Sequence, residues 1–135
     1  MDSPDAVSYI GAMLNTSHII AFVATQNPAR AKDFYEKTLG LKLVSDDPFA
    51  IVFDANGTML RVQKVEKVNA AGYTALGWKV KDIGAEIKSL SKKGVRFEHF
   101  DGMGQDELGI WTSPAGAKIA WFKDPDDNTL SLREF

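Results

Sequence analysis

A strand–helix–strand–strand–strand order occurs twice along this chain of 135 residues, and that repeat constrains the fold more than any other feature. In each copy the helical pattern ends at a glycine followed by an apolar residue, Gly40-Leu41 in the first and Gly94-Val95 in the second. The two glycines are 54 positions apart, which indicates duplication of a unit of about that length. One unit alone would leave a sheet face uncovered, so we expect the two units to pair within one domain.

The first unit, about residues 18–66, opens with the apolar, β-branched run 18–24. Asn27 followed by Pro28 predicts the start of a helix, because asparagine caps helices and proline fits the first helical position. Three strands are predicted after the helix, at 41–45, 50–54 and 58–64, with a hairpin turn at Asp54-Ala-Asn-Gly57.

The second unit, about residues 73–135, repeats that order with one further strand after its helix. A strand at 74–80 leads to Asp82, a candidate N-cap for the second helix. The four strands predicted after this helix are 95–100, 107–112, 118–123 and 129–133. The glycine-rich stretch 101–109 is interpreted as a mobile polar loop, and 124–128 as a turn.

Residues 1–17 form a predicted N-terminal arm, either loose or folded as a short docked helix. The arm carries two Asp and no Lys or Arg, so it is not expected to be a secretory signal.

Composition excludes several function classes. The chain has 16 Lys plus Arg against 18 Asp plus Glu, so a general nucleic-acid binder is not expected. It has no Cys, which excludes disulfides, thiolate metal sites and Cys nucleophiles. Apolar runs such as 19–24 are far too short to span a bilayer, so we expect no membrane association and a cytoplasmic protein.

Two segments carry a resemblance to a known family. The first helix reads Ala31-Lys-Asp-Phe-Tyr-Glu-Lys-Thr-Leu-Gly40-Leu, and the end of the chain contains Phe122-Lys-Asp-Pro-Asp-Asp-Asn-Thr-Leu. With the doubled unit, they resemble the vicinal oxygen chelate superfamily, which holds glyoxalase I, bleomycin-resistance proteins and extradiol dioxygenases. Over residues 18–135 the resemblance implies an α+β fold, in which two tandem βαβββ modules form a curved, cup-like mixed sheet with helices on its outer face. It also implies a homodimer, since many members are dimeric.

The metal enzymes of that superfamily take four His or Glu ligands, one from each of four strands lining the cup. The corresponding positions here fall at His18 or Ile20, at Arg61 or Gln63, at Ala75 and at Ser131. At most one ligand is therefore retained, whereas catalytic zinc sites have about three protein ligands. We expect no metal and no other cofactor. The other histidine, His99, is interpreted as part of a surface strand whose alternation keeps it apart from Glu98.

Alternation also predicts which side chains face the cup. Leu60, Val62, Leu130 and Leu132 should pack on the helices, and the residues between them should face the cup. The candidate ligand-binding residues are His18, Phe22, Arg61, Gln63, Tyr73, Lys79, Trp111, Ser131 and Arg133. Phe22, Tyr73, Trp111 and Trp121 offer aromatic faces for a planar ligand, or they fill the core.

The cationic residues are the most specific part of this set. Arg61, Lys79 and Arg133 on one surface favour an anionic ligand, because a partly buried cation needs a partner. The alternatives are internal ion pairs to Glu98, Asp106 or Glu107, and side chains that extend into water.

These observations predict a metal-free small-molecule binding protein resembling bleomycin-resistance proteins, with an anionic or aromatic ligand. One alternative is a glyoxalase- or dioxygenase-like enzyme with a divergent metal site, or a metal-free reaction using His18 or Tyr73 as acid or base. Another is an interaction module whose cup holds no ligand.

Overall fold

The structure, a computed structural model, describes residues 13–135 and contains two modules of the expected order. The first holds strand β1 (Ile20–Thr25), helix α1 (Pro28–Asp33) continued by a π-helical turn (Phe34–Thr38), and strands β2 (Lys42–Asp46), β3 (Ala50–Ala55) and β4 (Thr58–Lys64). The second holds strand β5 (Thr74–Lys79), helix α2 (Ile83–Lys92), and strands β6 (Trp111–Thr112), β7 (Lys118–Lys123) and β8 (Thr129–Glu134).

Each module builds one four-stranded mixed sheet, so the expected α+β class with two βαβββ modules is confirmed. The strand orders are β1-β4-β3-β2 and β5-β8-β7-β6. In both sheets the outer strand β1 or β5 runs parallel to its neighbour, and the remaining pairs are antiparallel. The two sheets therefore repeat one topology, as the duplicated sequence pattern predicts.

One hydrophobic core joins the two modules. Leu60 and Val62 from the first and Leu130 and Leu132 from the second are buried in it, as alternation predicts. Tyr35 and Ile87 bring the helices onto the same cluster. The spacing of Ile83, Ile87 and Leu90 along α2 places one apolar helix face on the sheet.

Local sequence signals correctly predict one hairpin turn and one helix cap. The β3–β4 hairpin has Asn56 and Gly57 at φ values of 51° and 94°, the left-handed pair that a two-residue turn between twisted strands requires. The carboxylate of Asp82 accepts a hydrogen bond from the Ala85 backbone N–H at 3.0 Å, which caps α2.

Asn27 occupies the N-cap position of α1, as predicted, but its side chain does not cap the helix. The Asn27 side chain makes no capping bond and instead donates to the Asp126 carboxylate at 3.2 Å. The Thr25 hydroxyl accepts from the Asn27 backbone N–H at 3.0 Å. The helix also widens into a π-helical turn, in which the Leu39 N–H reaches the Phe34 carbonyl.

The predicted strands 95–100 and 107–112 are mostly absent. Only Trp111–Thr112 pairs as a strand, and Phe97 forms one isolated bridge with Phe122. Gly102, Gly104 and Gly109 have φ values of 78°, 70° and 87°, which interrupt an extended chain. Val95, Leu108 and Ile110 pack on the core outside any strand.

The turn at 124–128 connects the modules, a role that its sequence does not reveal. Asp124 is buried, and it accepts hydrogen bonds from the Tyr35 hydroxyl at 2.7 Å and from the Asn128 backbone N–H at 2.9 Å. Asp126 accepts from the Thr25 hydroxyl at 2.6 Å. Asn128 donates to the Ala24 carbonyl at 2.9 Å. The turn therefore holds both α1 and the end of β1 against the second module.

Part of the predicted N-terminal arm, residues 1–12, lies outside the described residues. The rest, 13–17, is exposed and contains a short 3-10 turn at Leu14–Thr16. Among residues 13–135, no helix is both long and apolar enough to cross a membrane.

Candidate functional site

The candidate site lies on the face of each sheet that is turned away from the core and the helices, which we call the cup face. Residues paired across neighbouring strands share a face, so the register defines it. In the first sheet it carries Phe22, Arg61 and Val52 in one row. In the second it carries Gly77, Ser131 and Trp121 in one row, and Lys79, Arg133 and Ile119 in the next.

The first-module candidates are distributed along β1 and β4. His18 is exposed and precedes β1. Phe22 is half-exposed beside the partly buried Arg61, and Gln63 is exposed two positions further along.

Arg61 contributes to the electrostatics of a nearby loop. Hydrogen bonds from the Ala50 and Phe49 backbone N–H groups lower the pKa of Asp47, and the charge of Arg61 lowers it further. Lys64 acts on Asp46 in the same direction, because its ammonium lies 2.6 Å from that carboxylate and lowers its pKa.

The basic pair of the second module contacts an aromatic ring. Lys79 Nζ and the Arg133 guanidinium lie 5.8 Å and 5.5 Å from the centre of the Phe135 ring, within cation–π range. Both residues are exposed, and no ion pair between described residues includes Arg61 or Arg133. The internal ion pairs considered for these arginines with Glu98, Asp106 or Glu107 are therefore absent from the described part of the chain.

A cavity of about 370 Å³ opens on the cup face of the second module, and we call it the cup-side cavity. It lies at the end where β8 begins, whereas Lys79 and Arg133 lie at the opposite end of their strands. Of the candidate residues, Tyr73 lines it. Its lining residues are Gly72, Tyr73, Thr74, Glu98, Phe100, Met103, Trp121, Lys123 and Thr129.

Three aromatic side chains, Tyr73, Phe100 and Trp121, line the cavity. The rings of Phe100 and Trp121 are nearly perpendicular, at 77° with centres 5.8 Å apart. Trp111 supports Trp121 from the edge of the sheet, at 6.3 Å between centres. Tyr73 is 75% exposed and Phe100 is 44% exposed, so neither ring is used to fill the core. Such a group of open aromatic faces is typical of a ligand site.

Glu98 and Lys123 bring one charge of each sign to the cavity. Glu98 is partly buried and Lys123 is exposed. No ion pair within 4.0 Å joins either group to the other or to another described residue. Both charges are therefore available to a ligand in this cavity.

The loop at 98–109 forms the cavity rim and is fixed by one side chain. Gln105 accepts from the Phe100 backbone N–H at 2.6 Å. Its amide donates to the carbonyls of Glu98 at 2.9 Å and Gly109 at 2.7 Å. These bonds replace those of a strand partner, and they hold Phe100 and Met103 at the cavity.

Several lining residues were absent from the candidate set. Lys123 follows Trp121 by two positions, so alternation along β7 identifies it once Trp121 is placed on the cup face. Glu98, Phe100 and Met103 come from an irregular loop, where no periodicity indicates which side chains share a surface. Only the fold brings them to the strands.

The residues present do not fit the metal site of the resembled enzymes. The residue paired with Ser131 is Gly77, and the register shift between Thr74 and Leu76 leaves Ala75 without a partner on β8. Neither Gly77 nor Ala75 has a donor side chain, and Arg61 is a permanent cation. Among residues 13–135, no group of three His, Asp or Glu side chains is placed to hold a metal ion.

Comparison with known proteins identifies the family. A family model described as Glyoxalase/Bleomycin resistance protein/Dioxygenase superfamily matches residues 16–132. The chain belongs to this superfamily.

Solved structures share the fold of this superfamily member. A lactoylglutathione lyase from Agrobacterium tumefaciens is 16% identical, covers 87% of this chain and 93% of its own, and has a TM-score of 0.67. A superfamily member from Sphaerobacter thermophilus is 25% identical, with coverages of 87% and 97% and a TM-score of 0.66. A fosfomycin resistance protein from Listeria monocytogenes is 9% identical, with coverages of 89% and 93% and a TM-score of 0.71. A search of curated proteins gave no match.

Proposed function

We propose that this superfamily member binds a small molecule without a metal ion, and that the ligand occupies the cup-side cavity. The observation that carries the proposal is the group of exposed or partly exposed rings at Tyr73, Phe100 and Trp121 beside Lys123, whose ammonium has no ion-pair partner among residues 13–135. A flat ligand stacks on these rings, and an anionic substituent pairs with Lys123. The side chains at the positions where the superfamily's enzymes bind their metal support binding without a metal ion, because Gly77, Ala75 and Arg61 cannot act as ligands.

The remaining candidate residues belong to the proposal as an outer part of the same cup face. His18, Phe22, Arg61 and Gln63 belong to the first module, and Lys79, Trp111, Ser131 and Arg133 belong to the second. The domain that carries them comprises the module at about 18–66 and the module at about 73–135.

Binding of a flat anion tests the proposal directly. We expect 3-phenylpropionate to quench tryptophan fluorescence and to raise Tm, because Trp121 lines the cavity. Lys123→Met should weaken this binding about tenfold, as expected for loss of one charge-assisted contact. Lys118→Met is the matched control, since Lys118 lies on the same strand but does not line the cavity.

Arg133→Met distinguishes the cavity from a basic clamp further along the cup face. Binding that survives Arg133→Met and Arg61→Met but not Lys123→Met supports the cavity. The opposite pattern would assign the ligand to the two arginines and overturn this placement.

Metal content tests the other half of the proposal. Protein purified without a metal-affinity tag should contain far less than one equivalent of any transition metal by elemental mass spectrometry. A stoichiometric metal would overturn metal-free binding and favour an enzyme with a divergent site.

A homodimer in the cytoplasm completes the proposal. Ile20, Phe22 and Met59 expose apolar surface on the cup face of the first sheet, which a second copy would cover. Light scattering coupled to size-exclusion chromatography should give twice the 14.8 kDa mass of the chain. The lack of Cys suits a reducing compartment.

A further inference from the structure

We propose that the ligand of the cup-side cavity is a zwitterion, a small aromatic molecule that carries both a carboxylate and a protonated amine. This inference rests on the proposed function, which requires only a flat anion, and it adds a positively charged group at Glu98. It therefore narrows the ligand to one chemical class.

The first step is the state of Glu98 itself. Its backbone is fully used: the N–H donates to the Trp121 carbonyl at 2.8 Å, and the carbonyl accepts from Gln105. Glu98 lines the cavity, and its carboxylate makes no hydrogen bond or ion pair with another described residue. A ligand that covers a partly buried carboxylate must supply a donor, because burying the charge unpaired is costly.

The second step is the aromatic surroundings of that carboxylate. Phe100 is two residues from Glu98 in the loop and meets the Trp121 ring nearly at a right angle. The faces of aromatic rings attract cations within about 6 Å. An ammonium group in this corner gains from the rings as well as from Glu98, whereas a neutral hydroxyl gains little from the rings.

The third step is the opposite charge at Lys123. Glu98 and Lys123 lie on different elements, a loop and β7, but line one cavity without pairing within 4.0 Å. A ligand with a single charge would satisfy one of them and displace water from the other. A ligand with both charges satisfies both, so the cavity selects for a zwitterion.

Three matched probes test this selection on the unmodified protein. 3-Phenylpropionate carries the anion, phenethylamine carries the cation, and phenylalanine carries both on the same ring and chain. We expect phenylalanine to have a Kd about tenfold below that of either single-charge probe, the gain of one further charge-assisted contact. The measurement is isothermal titration calorimetry at low salt.

Two variants assign the contacts. Glu98→Gln should abolish the advantage of phenylalanine over 3-phenylpropionate, measured as the ratio of the two Kd values in the variant. Lys123→Met should abolish its advantage over phenethylamine. Glu107→Gln is the control, because Glu107 is exposed in the same loop and does not line the cavity. Tm measurements show that each variant is folded.

Each outcome decides between the inference and the function on which it rests. If 3-phenylpropionate binds and phenylalanine binds no tighter, the zwitterion is excluded and the flat-anion proposal stands. If phenethylamine binds as tightly as phenylalanine, Lys123 has no role and the ligand is a cation. If none of the probes binds, both the zwitterion and the proposed function fail.

Discussion

The Tyr35 hydroxyl has a structural task that depends on its staying protonated. It donates to the buried carboxylate of Asp124 and joins α1 to the turn before β8. Burial, followed by the charge and hydrogen bond of Asp124, raises the pKa of Tyr35 well above its usual range. Its folded-state pKa therefore exceeds its unfolded value, so its contribution to stability is complete below about pH 10 and declines as the pH rises further.

Replacing this hydroxyl should cost stability in a pH-dependent way. We expect Tyr35→Phe to lower the free energy of unfolding by about 1–3 kcal/mol at pH 7, because it removes a buried bond to a carboxylate. The difference from wild type should shrink between pH 9 and pH 11, as the unfolded-state tyrosine of wild type ionises. Urea denaturation of both proteins at pH 7, 9 and 11 measures this difference. A constant difference would contradict the coupling.

Gly77 is required by the close approach of β5 to Ser131. A Cβ atom at position 77 would lie 2.9 Å from the Ser131 hydroxyl oxygen, inside normal contact distance. We expect Gly77→Ala to destabilise the protein by about 1–3 kcal/mol through overpacking. Adding Ser131→Ala should restore most of that loss, since it removes the contacting oxygen. Additive losses in the double variant, measured by thermal denaturation, would contradict this explanation.

Alternation along a strand predicts which side chains face the core, but it does not predict these two close contacts. Alternation places Leu60 and Leu132 in the core correctly, because a period of two is a local property. The Gly77–Ser131 contact and the Tyr35–Asp124 bond join residues far apart in the chain. Residue type alone does not indicate either pairing.

At the scale of elements, the loop 98–109 decides the shape of the candidate site. It supplies Glu98, Phe100 and Met103 to the cavity, and Gln105 bonds it to itself at both ends. The Gln105 side chain thus satisfies backbone groups that strand pairing satisfies elsewhere in the sheet.

Removing the Gln105 amide should loosen this loop without unfolding the sheets. Gln105→Leu leaves one backbone N–H and two carbonyls to be satisfied by water, so we expect amides 99–106 to exchange faster. Amides of β7 and β8 should keep their protection. Hydrogen exchange by mass spectrometry checks this, and ligand binding should weaken in parallel. Unchanged exchange in the loop would show that other contacts hold it.

Prediction of elements succeeded where turn signals bound them and failed where glycines interrupt an apolar run. Strands β3, β4 and β7 begin at the predicted residues, because Asn-Gly, Pro and Gly signals flank them. The run 95–100 has the composition of a strand, but Val95 and Phe97 pack on the core with only one isolated bridge, between Phe97 and Phe122. Composition does not distinguish these two situations.

At the scale of the whole molecule, the two modules share one hydrophobic core. Val23, Tyr35 and Phe53 of the first module belong to the same cluster as Phe122 and Leu130 of the second. Trp78, Trp111 and Trp121 all lie in the second module, so tryptophan fluorescence reports on that module alone.

We therefore expect the two modules to unfold together in a single transition, which two different probes should detect at the same urea concentration. We expect the urea midpoints from tryptophan fluorescence and from far-UV circular dichroism to coincide. Asp126→Ala removes the bonds to Thr25 and Asn27, so it should lower both midpoints together. A fluorescence midpoint that moves apart from the circular dichroism midpoint would show that the modules unfold independently.

The architecture of the whole molecule could be predicted more fully than its site. The duplicated pattern predicts two equivalent modules, and the resemblance predicts that they form a curved mixed sheet; the structure has one four-stranded mixed sheet in each module. The cup-side cavity forms at one end of one sheet, where an irregular loop meets β7. Tyr73 was identified as a candidate by alternation along the strand that opens the second module, but no local signal separates that end of the sheet from the end that holds Arg133.

The contact between Gly77 and Ser131 also restricts how this lineage can change. A donor side chain at position 77 needs space that the Ser131 hydroxyl now occupies, so a substitution there alone is strained before it is useful. Position 131 must change first, or both must change together. Placing a metal ligand at position 77 therefore takes two coordinated substitutions, so such a site lies at least two mutational steps from the present sequence.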